Sequence, residues 1–329
     1  MHLRALEIFC TVAEERSFSR AGSALALTQS AVSQSVQHLE ESLGVRLVDR
    51  SKRPLVLTEA GRTYVRGLRP LLKGFRQLEE DVRSVGSRLR GRVVVAAVYS
   101  VGLSYMPEAT SEFATLHPEV EVRTEYGSSQ RVVELTSEGA VDFGLVSFPR
   151  STRDLDYVIW QREPMRLICS AEHPLASRTD VTVADLNGIR MIGFDRSLVI
   201  RHEIDQALAK AGVRVDVRME FDNADSMVRA IQANRGIGIV PEAAVRRETA
   251  TGALRVVACR GFKMTRPLGI LVRRSAELSR AASEFGSLLL GRPLEDELRR
   301  RRKGARKSSD EPPSVGVSGM SSRQHTAAG

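Results

Sequence analysis

Hydrophobic spacing changes period near residue 90 of this 329-residue chain, and that change rules out one continuous core. On the near side, Tyr64, Leu68, Leu71, Phe75, Leu78, Val82 and Val85 follow one another at alternating intervals of four and three. Such alternation over successive heptads makes a narrow coiled-coil seam, whereas a helix lying on its own core carries a wider stripe. A seam needs a second helix. No matching heptad stretch follows nearby, so a second copy of the chain is the expected partner, and an intramolecular helical hairpin is the alternative. About 30 residues of helix would span roughly 45 Å, although Gly67, Gly74 and Pro70 weaken it.

Upstream, Leu3, Leu6, Phe9, Cys10 and Ala13 recur at helical spacing. Ser17 can cap a short second helix carrying Ala21 and Leu25, and Thr28 can cap a third. In "TQSAVSQSVQHLEESLG" one face is apolar, with Val32, Val36, Leu39 and Leu43, while the other offers Gln29, Ser30, Ser33, Gln34 and Gln37. Two short helices joined by a tight turn, the second with a polar outer face, are the layout of a helix-turn-helix. Ser and Gln both donate and accept, as base edges in the major groove require, and short uncharged side chains let the helix approach closely. The five polar residues are therefore the expected base or groove contacts; a plain amphipathic helix facing water is the competing reading. "VRLVDRSKRPLVLT", residues 45–58, alternates as a two-stranded hairpin, with Arg46, Arg50, Lys52 and Arg53 set against Asp49. A basic hairpin beside a helix-turn-helix reads as a wing whose Arg50, Lys52 and Arg53 grip phosphate.

Charge is unevenly placed. Residues 1–90 hold 15 Lys and Arg against 10 Asp and Glu, residues 91–291 hold 25 of each, and residues 292–329 hold 9 against 5. The basic ends fit a polyanionic partner, and duplex DNA is the expected one. No apolar run approaches the length of a membrane span, and the amino terminus does not resemble a secretory signal. A cytoplasmic protein without a membrane partner is expected. Cys10, Cys169 and Cys259 lack the spacing of a zinc site or disulfide framework and read as ordinary thiols. The chain shows no phosphate-cradling loop, metal spacing or nucleophile elbow, so neither catalysis nor a cofactor or metal is expected.

Beyond residue 90, strand patterns at 92–98, 120–126, 142–148, 165–171, 213–221, 236–241, 254–260 and 268–274 alternate with helical ones at 102–116, 128–138, 198–211 and 224–234. That order implies a largely parallel α/β architecture. Ligands of open α/β sheets bind at the carboxyl ends of strands. The first strand is followed by Tyr99, Ser100 and Val101, the second by Gly127 and Ser128, and the third ends at Ser147. Helix starts at Ser100 and Ser128 would aim free N–H groups at one spot, suited to an anion. For any one of these serines a helix cap or turn is the favoured reading; their recurrence after three successive strands is what points to a ligand.

The stretch "SFSRAGSALALTQSAVSQSVQHLEESLGVRLVDRSKRPLVLTEAG" resembles the amino-terminal winged helix of LysR-type transcriptional regulators, without a gap from about residue 3 to 62. Gly22 and Val48 depart from it, standing where the family has Ala and Phe. "FATLHPEVEVRTEYGSSQRVVELTSEGAVDFGLV", "HPLASRTDVTVADLNG" and "ANRGIGIVPE" resemble the family's effector-binding region. The resemblance implies an α/β protein with three parts: a winged helix-turn-helix at 1–60, a linker helix at 61–90 that pairs two subunits through Tyr64, Leu68, Leu71, Phe75, Leu78 and Val82, and a two-lobed domain of the periplasmic-binding-protein type at 91–291. Lobe 1 would comprise about 91–162 and 266–291, and lobe 2 about 163–265, with crossings near Trp160 to Pro164 and Met264 to Pro267. Residues 292–329 would form a disordered basic tail. The resemblance implies Arg196, Ser197 and Asn223 as lobe 2 effector contacts, and Arg201 as a counter-charge. The expected function is sequence-specific DNA binding that responds to a small, anionic metabolite in the cleft. A homodimer or homotetramer is the expected assembly, and RNA polymerase is a candidate partner. An architectural DNA-binding protein without inducer, or a solute-binding protein, are the alternatives.

Overall fold

The computed structural model describes residues 3–83, 89–233, 235–275 and 277–309. Three hydrophobic cores divide them. The first joins α1 (Leu3–Glu15), α2 (Phe18–Leu25) and α3 (Gln29–Leu43) to a hairpin of β1 (Val48–Asp49) and β2 (Val56–Leu57) and to the start of α4 (Glu59–Arg83). Ser17 and Thr28 cap α2 and α3 by accepting from the Arg20 and Ala31 N–H groups. Ala26 closes α2 in the left-handed region, at φ 54°. Val32, Val36 and Leu39 fill the core from α3, which leaves the Gln and Ser face outside. A Cβ on Gly61 would collide with the Leu47 carbonyl oxygen, so α4 can pack this closely on the hairpin only through glycine.

Helix α4 divides its apolar positions. Tyr64 and Leu68, expected in the seam, pack instead with Val65 and Leu72 into the head core. The wider apolar arc at this end includes Val65 and Leu72, which the heptad reading omitted. Farther along, Leu71, Phe75, Leu78 and Val82 remain exposed. Val85 lies outside the described residues. Pro70 sits inside α4, which is continuous across it.

The second core, lobe 1, is built on β3 (Gly91–Val98), α5 (Tyr99–Leu116), β4 (Val120–Gly127), α6 (Ser129–Ser137), β5 (Phe143–Ser147) and the first half of β6 (Leu155–Ser170). The third, lobe 2, uses the second half of β6, β7 (Arg190–Phe194), α7 (Val199–Lys210), β8 (Asp216–Phe221), α8 (Ala224–Gln232), β9 (Gly238–Pro241), α9 (Arg246–Ala250) and β10 (Leu254–Val256). The chain returns to lobe 1 on β11 (Thr265–Arg273), followed by α10 (Arg280–Leu290) and α11 (Leu294–Ser309). Strand β6 carries the chain through both lobes. Its first half pairs β11, and its second half pairs β9 and β10.

Among the described strands, β3 pairs parallel with β4 and with β5 and β7 with β8, and two isolated parallel bridges join Thr182 to Arg260 and Met191 to Ile237; every pair involving β6 or β11 is antiparallel. The expected largely parallel sheet is thus corrected to a mixed one, because the two crossings run side by side in opposite directions. Residues 155–164, not read as a strand from the sequence, form the first half of β6.

The start of the expected disordered tail is also corrected. Residues 294–309 form α11, and Leu294 and Leu298 are buried in lobe 1. Arg301 lies 3.5 Å over the Tyr157 ring and pairs with Asp156 at 3.1 Å. These two leucines, one turn apart, dock the start of α11 on lobe 1; the low apolar content of the segment concealed them. Residues 310–329 lie outside the described residues. Leu294 meets Gly286, where any Cβ would collide with it. Leu294→Ala is expected to lower lobe 1 stability by about 2–4 kcal/mol, and Arg300→Ala, at an exposed site, to leave it within about 0.5 kcal/mol. Urea unfolding of both variants measures the difference.

Candidate functional site

Two places carry functional side chains. At the head, α3 presents Gln29, Ser30, Gln34 and Gln37 as exposed residues, with Ser33 half-buried. Their groups are not equally free. Ser30 Oγ lies 3.0 Å from Thr28 Oγ1, and Gln37 Nε2 donates to Glu41 at 3.0 Å. Arg50 is exposed on one side and held on the other. Its Nη2 meets Glu40 Oε2 at 3.0 Å, its guanidinium lies 5.4 Å from the centre of the Phe18 ring, and Nη1 approaches Ser33 Oγ at 3.5 Å. Lys52 and Arg53 stand exposed at the hairpin tip.

Glu40 sets the wing's angle. Its Oε1 accepts the Leu47 and Val48 N–H groups at 2.7 and 3.0 Å, and its Oε2 accepts Arg50. One carboxylate on α3 thus holds the first strand of the hairpin and its arginine together, which fixes the hairpin against α3. Asp49, at the turn end of β1, is held below the usual carboxylate range by its hydrogen bond from the Ser51 hydroxyl and then that from the Ser51 N–H.

The second place is the cleft between the lobes. Parallel register aligns Val98 with Gly127 and Ala97 with Leu145, so Tyr99, Ser100 and Val101, Gly127 and Ser128, and Ser147 lie along one edge of the lobe 1 sheet. In lobe 2, Phe194 pairs with Phe221, which places Arg196 and Ser197 beside Asn223 in the same manner. Arg150, just past Ser147, reaches Glu203 on α7 at 3.8 Å, so the two edges border one cleft. Phe148, at φ 50°, turns from the end of β5 to pack against the lobe 2 core.

Most of these polar groups already have local partners. Ser128 caps α6 and Asn223 caps α8 through their side chains. Ser197 donates to Asp195 at 2.6 Å, which holds that carboxyl below its ordinary range. Arg196 and Arg201 both meet Glu220, at 3.0 and 2.9 Å, and their hydrogen bonds, Arg201's first, lower its carboxyl. Arg201 is buried and also bonds Asp205 and the Phe194 carbonyl. Its charge braces the floor of lobe 2, a role its sequence position did not reveal. Ser100 differs from the others: its Oγ accepts from Arg266 at 2.8 Å. The sequence reading missed Arg266, Glu163, Arg150 and Glu203. The one signal for the first two was an acid in "REP" and a base in "TRP", one beside each crossing's proline.

Burial pushes the Cys169 thiol up to about 11 and raises that of Cys259. Neither is a thiolate near neutrality. Among the described residues no helix is long and apolar enough to cross a membrane.

Residues 3–62 match the family model described as "Bacterial regulatory helix-turn-helix protein, lysR family", and residues 86–293 match "LysR substrate binding domain". The HTH-type transcriptional regulator YfeR of Shigella flexneri is 34% identical over 280 residues, 85% of this chain and 90% of that protein. Full-length CbnR complexed with its target DNA shares the fold at a TM-score of 0.63 and 20% identity, over 88% of this chain and 99% of that one. The regulatory domain of Synechocystis PCC6803 CcmR, in complex with 2-PG, matches at a TM-score of 0.56 and 22% identity, over 61% of this chain and 97% of that domain.

Glu40→Ala would leave the Leu47 and Val48 N–H groups and Arg50 without their shared acceptor. Loss of about 2–3 kcal/mol in head stability is expected, against about 1 kcal/mol or less for Arg50→Ala, whose side chain is exposed on one side. Hydrogen exchange at the Leu47 and Val48 amides would report the first loss locally.

Proposed function

The chain belongs to the LysR family of helix-turn-helix transcriptional regulators, and we propose that it reads a specific DNA sequence through α3 under the control of a small ligand held between the lobes. The observation that carries the reading is the outer face of α3. It is polar, uncharged and solvent-facing, and Glu40 clamps it to a basic hairpin. Gln29, Ser30, Ser33, Gln34 and Gln37 contact base edges or the groove wall, and Lys52 and Arg53 contact phosphate. Arg50 reaches phosphate from a fixed position, because Glu40 and Phe18 hold its guanidinium.

Two heads act together. The exposed Leu71, Phe75, Leu78 and Val82 lie on one side of α4, and pairing with a second α4 removes that apolar strip from water. The resulting homodimer, or a tetramer made from it, presents two reading helices to a partly symmetric site. A ligand in the cleft, bordered by Tyr99, Ser100, Val101, Gly127, Ser128 and Ser147 on one side and Arg196, Ser197 and Asn223 on the other, shifts the spacing of the heads through its unequal affinity for the two arrangements. The CcmR regulatory domain, whose fold this region shares, is in complex with 2-PG, and a small molecule is the class of ligand proposed for this cleft. The protein acts in the cytoplasm at the nucleoid, where RNA polymerase is the machinery it influences.

Gln34→Ala is expected to cost about 1–3 kcal/mol on the preferred site and to reduce the preference for it over other sequences. Lys52→Ala should weaken binding to all sequences alike and reduce the salt slope by roughly one. Salt titrations of both variants on specific and random duplexes test this division; equal, sequence-blind losses would contradict it.

A further inference from the structure

The two crossing strands bury one charged pair where they run side by side. Glu163 of β6 and Arg266 of β11 are cross-strand partners, each 1% exposed. Arg266 donates to Glu163 Oε2 through Nη2 and, at 2.9 Å, through Nε, while its Nη1 donates to Ser100 Oγ at 2.8 Å. The other Glu163 oxygen accepts from the Ala243 N–H at 3.1 Å. The nearby Tyr105 phenol accepts from Gln161 at 3.2 Å, and burial, followed by the Glu163 charge, pushes it up to about 12. Ser100 and Tyr105 belong to α5 of lobe 1, whereas Ala243 lies in the short turn Glu242–Val245 of lobe 2. The pair and its neighbours therefore join both lobes to both crossings.

Stability alone is a poor reason to keep such a pair, because well-packed neutral residues often replace a buried ion pair without loss. Orientation is a better one. A guanidinium N–H occupies a lone pair of Ser100 Oγ, which leaves the hydroxyl proton for an acceptor elsewhere. Ser100 is half-buried at the cleft edge.

We propose that Glu163 and Arg266 form a positioning pair for the cleft, which presents the Ser100 hydroxyl as a donor to the ligand and makes that serine move with lobe closure. The proposal rests on the cleft being the effector site. The ligand atom that meets Ser100 is then an oxygen acceptor, not an ammonium. Closure changes the Ala243 contact and the Ser100 contact together, since one carboxylate and its guanidinium hold both.

The test uses the full-length protein without DNA or effector, so its outcome is independent of whether α3 reads DNA. Spin labels are attached through Ser111→Cys in lobe 1 and Ala209→Cys in lobe 2, in a Cys259→Ser background, with labelled chains diluted into unlabelled ones. Pulsed dipolar spectroscopy then gives the distance distribution between the lobes, and thermal melting reports folding. The parent is compared with Arg266→Lys and with the double variant Glu163→Gln/Arg266→Met, which removes both charges and remains informative if single neutral variants fail to fold. The expected result is a cooperative melt for the double variant near that of the parent, with an interlobe distribution about twofold broader or displaced. Arg266→Lys, which keeps the charge but cannot hold Glu163 and Ser100 together, should fall between the two. A parental distribution in the double variant would overturn the proposal. So would loss of its cooperative melt, which would make the pair a packing element.

Discussion

The regulatory half of the molecule depends on the pairing of β6 with β11. These strands lie antiparallel from Thr265 opposite Pro164 to Arg273 opposite Leu155, and among the described residues they are the two chain connections between the lobes. Because they are hydrogen-bonded to each other, the two crossings form one seam between the lobes. The register slips between Leu268 and Gly269, just inside lobe 1 from the buried charges. Everything bordering the cleft hangs from this seam. The lobe 1 edge reaches it through β5, the direct neighbour of β11, and the lobe 2 edge reaches it through β9, which pairs β6 and bridges β7.

The head follows the same economy on a smaller scale. Glu40 fixes the wing to α3 just as Glu163 fixes the crossings, in each case one carboxylate accepting backbone N–H and arginine together. Such carboxylates gain from several donors at once, which compensates their removal from water. Between head and lobe 1, Arg69 of α4 meets Glu14 of α1 at 3.3 Å and Glu138 at the end of α6 at 3.0 Å. Arg69 thus ties the first half of α4 both to the head and to lobe 1.

The architecture was largely legible in the sequence because its elements obey periodicity. The Thr28 cap, the Val32, Val36 and Leu39 stripe and the Gly44 stop define α3 without any long-range information. Each missed element needed a partner distant in the chain. Residues 155–164 alternate weakly, and only β11, about a hundred residues later, makes them a strand. Leu294 and Leu298 disappear in a charged run until the lobe 1 core, with Gly286 of α10 against Leu294, is placed beside them. Tyr64 and Leu68 fit a heptad equally well as a globular stripe, and the head core decides between the two. The site followed the same rule. Polar residues at strand ends could be found from pattern alone, whereas the engagement of Arg201 by Glu220 and of Ser100 by Arg266 depends on which elements fold together.

The central claim is that an uncharged helix face, held rigid by Glu40, reads nucleotide order. Its most direct test is affinity selection of random duplexes by the purified full-length protein at moderate ionic strength, followed by sequencing. The result expected is strong enrichment of a common motif with partial two-fold symmetry. Enrichment that tracks duplex length or overall charge, with no shared motif, would contradict it.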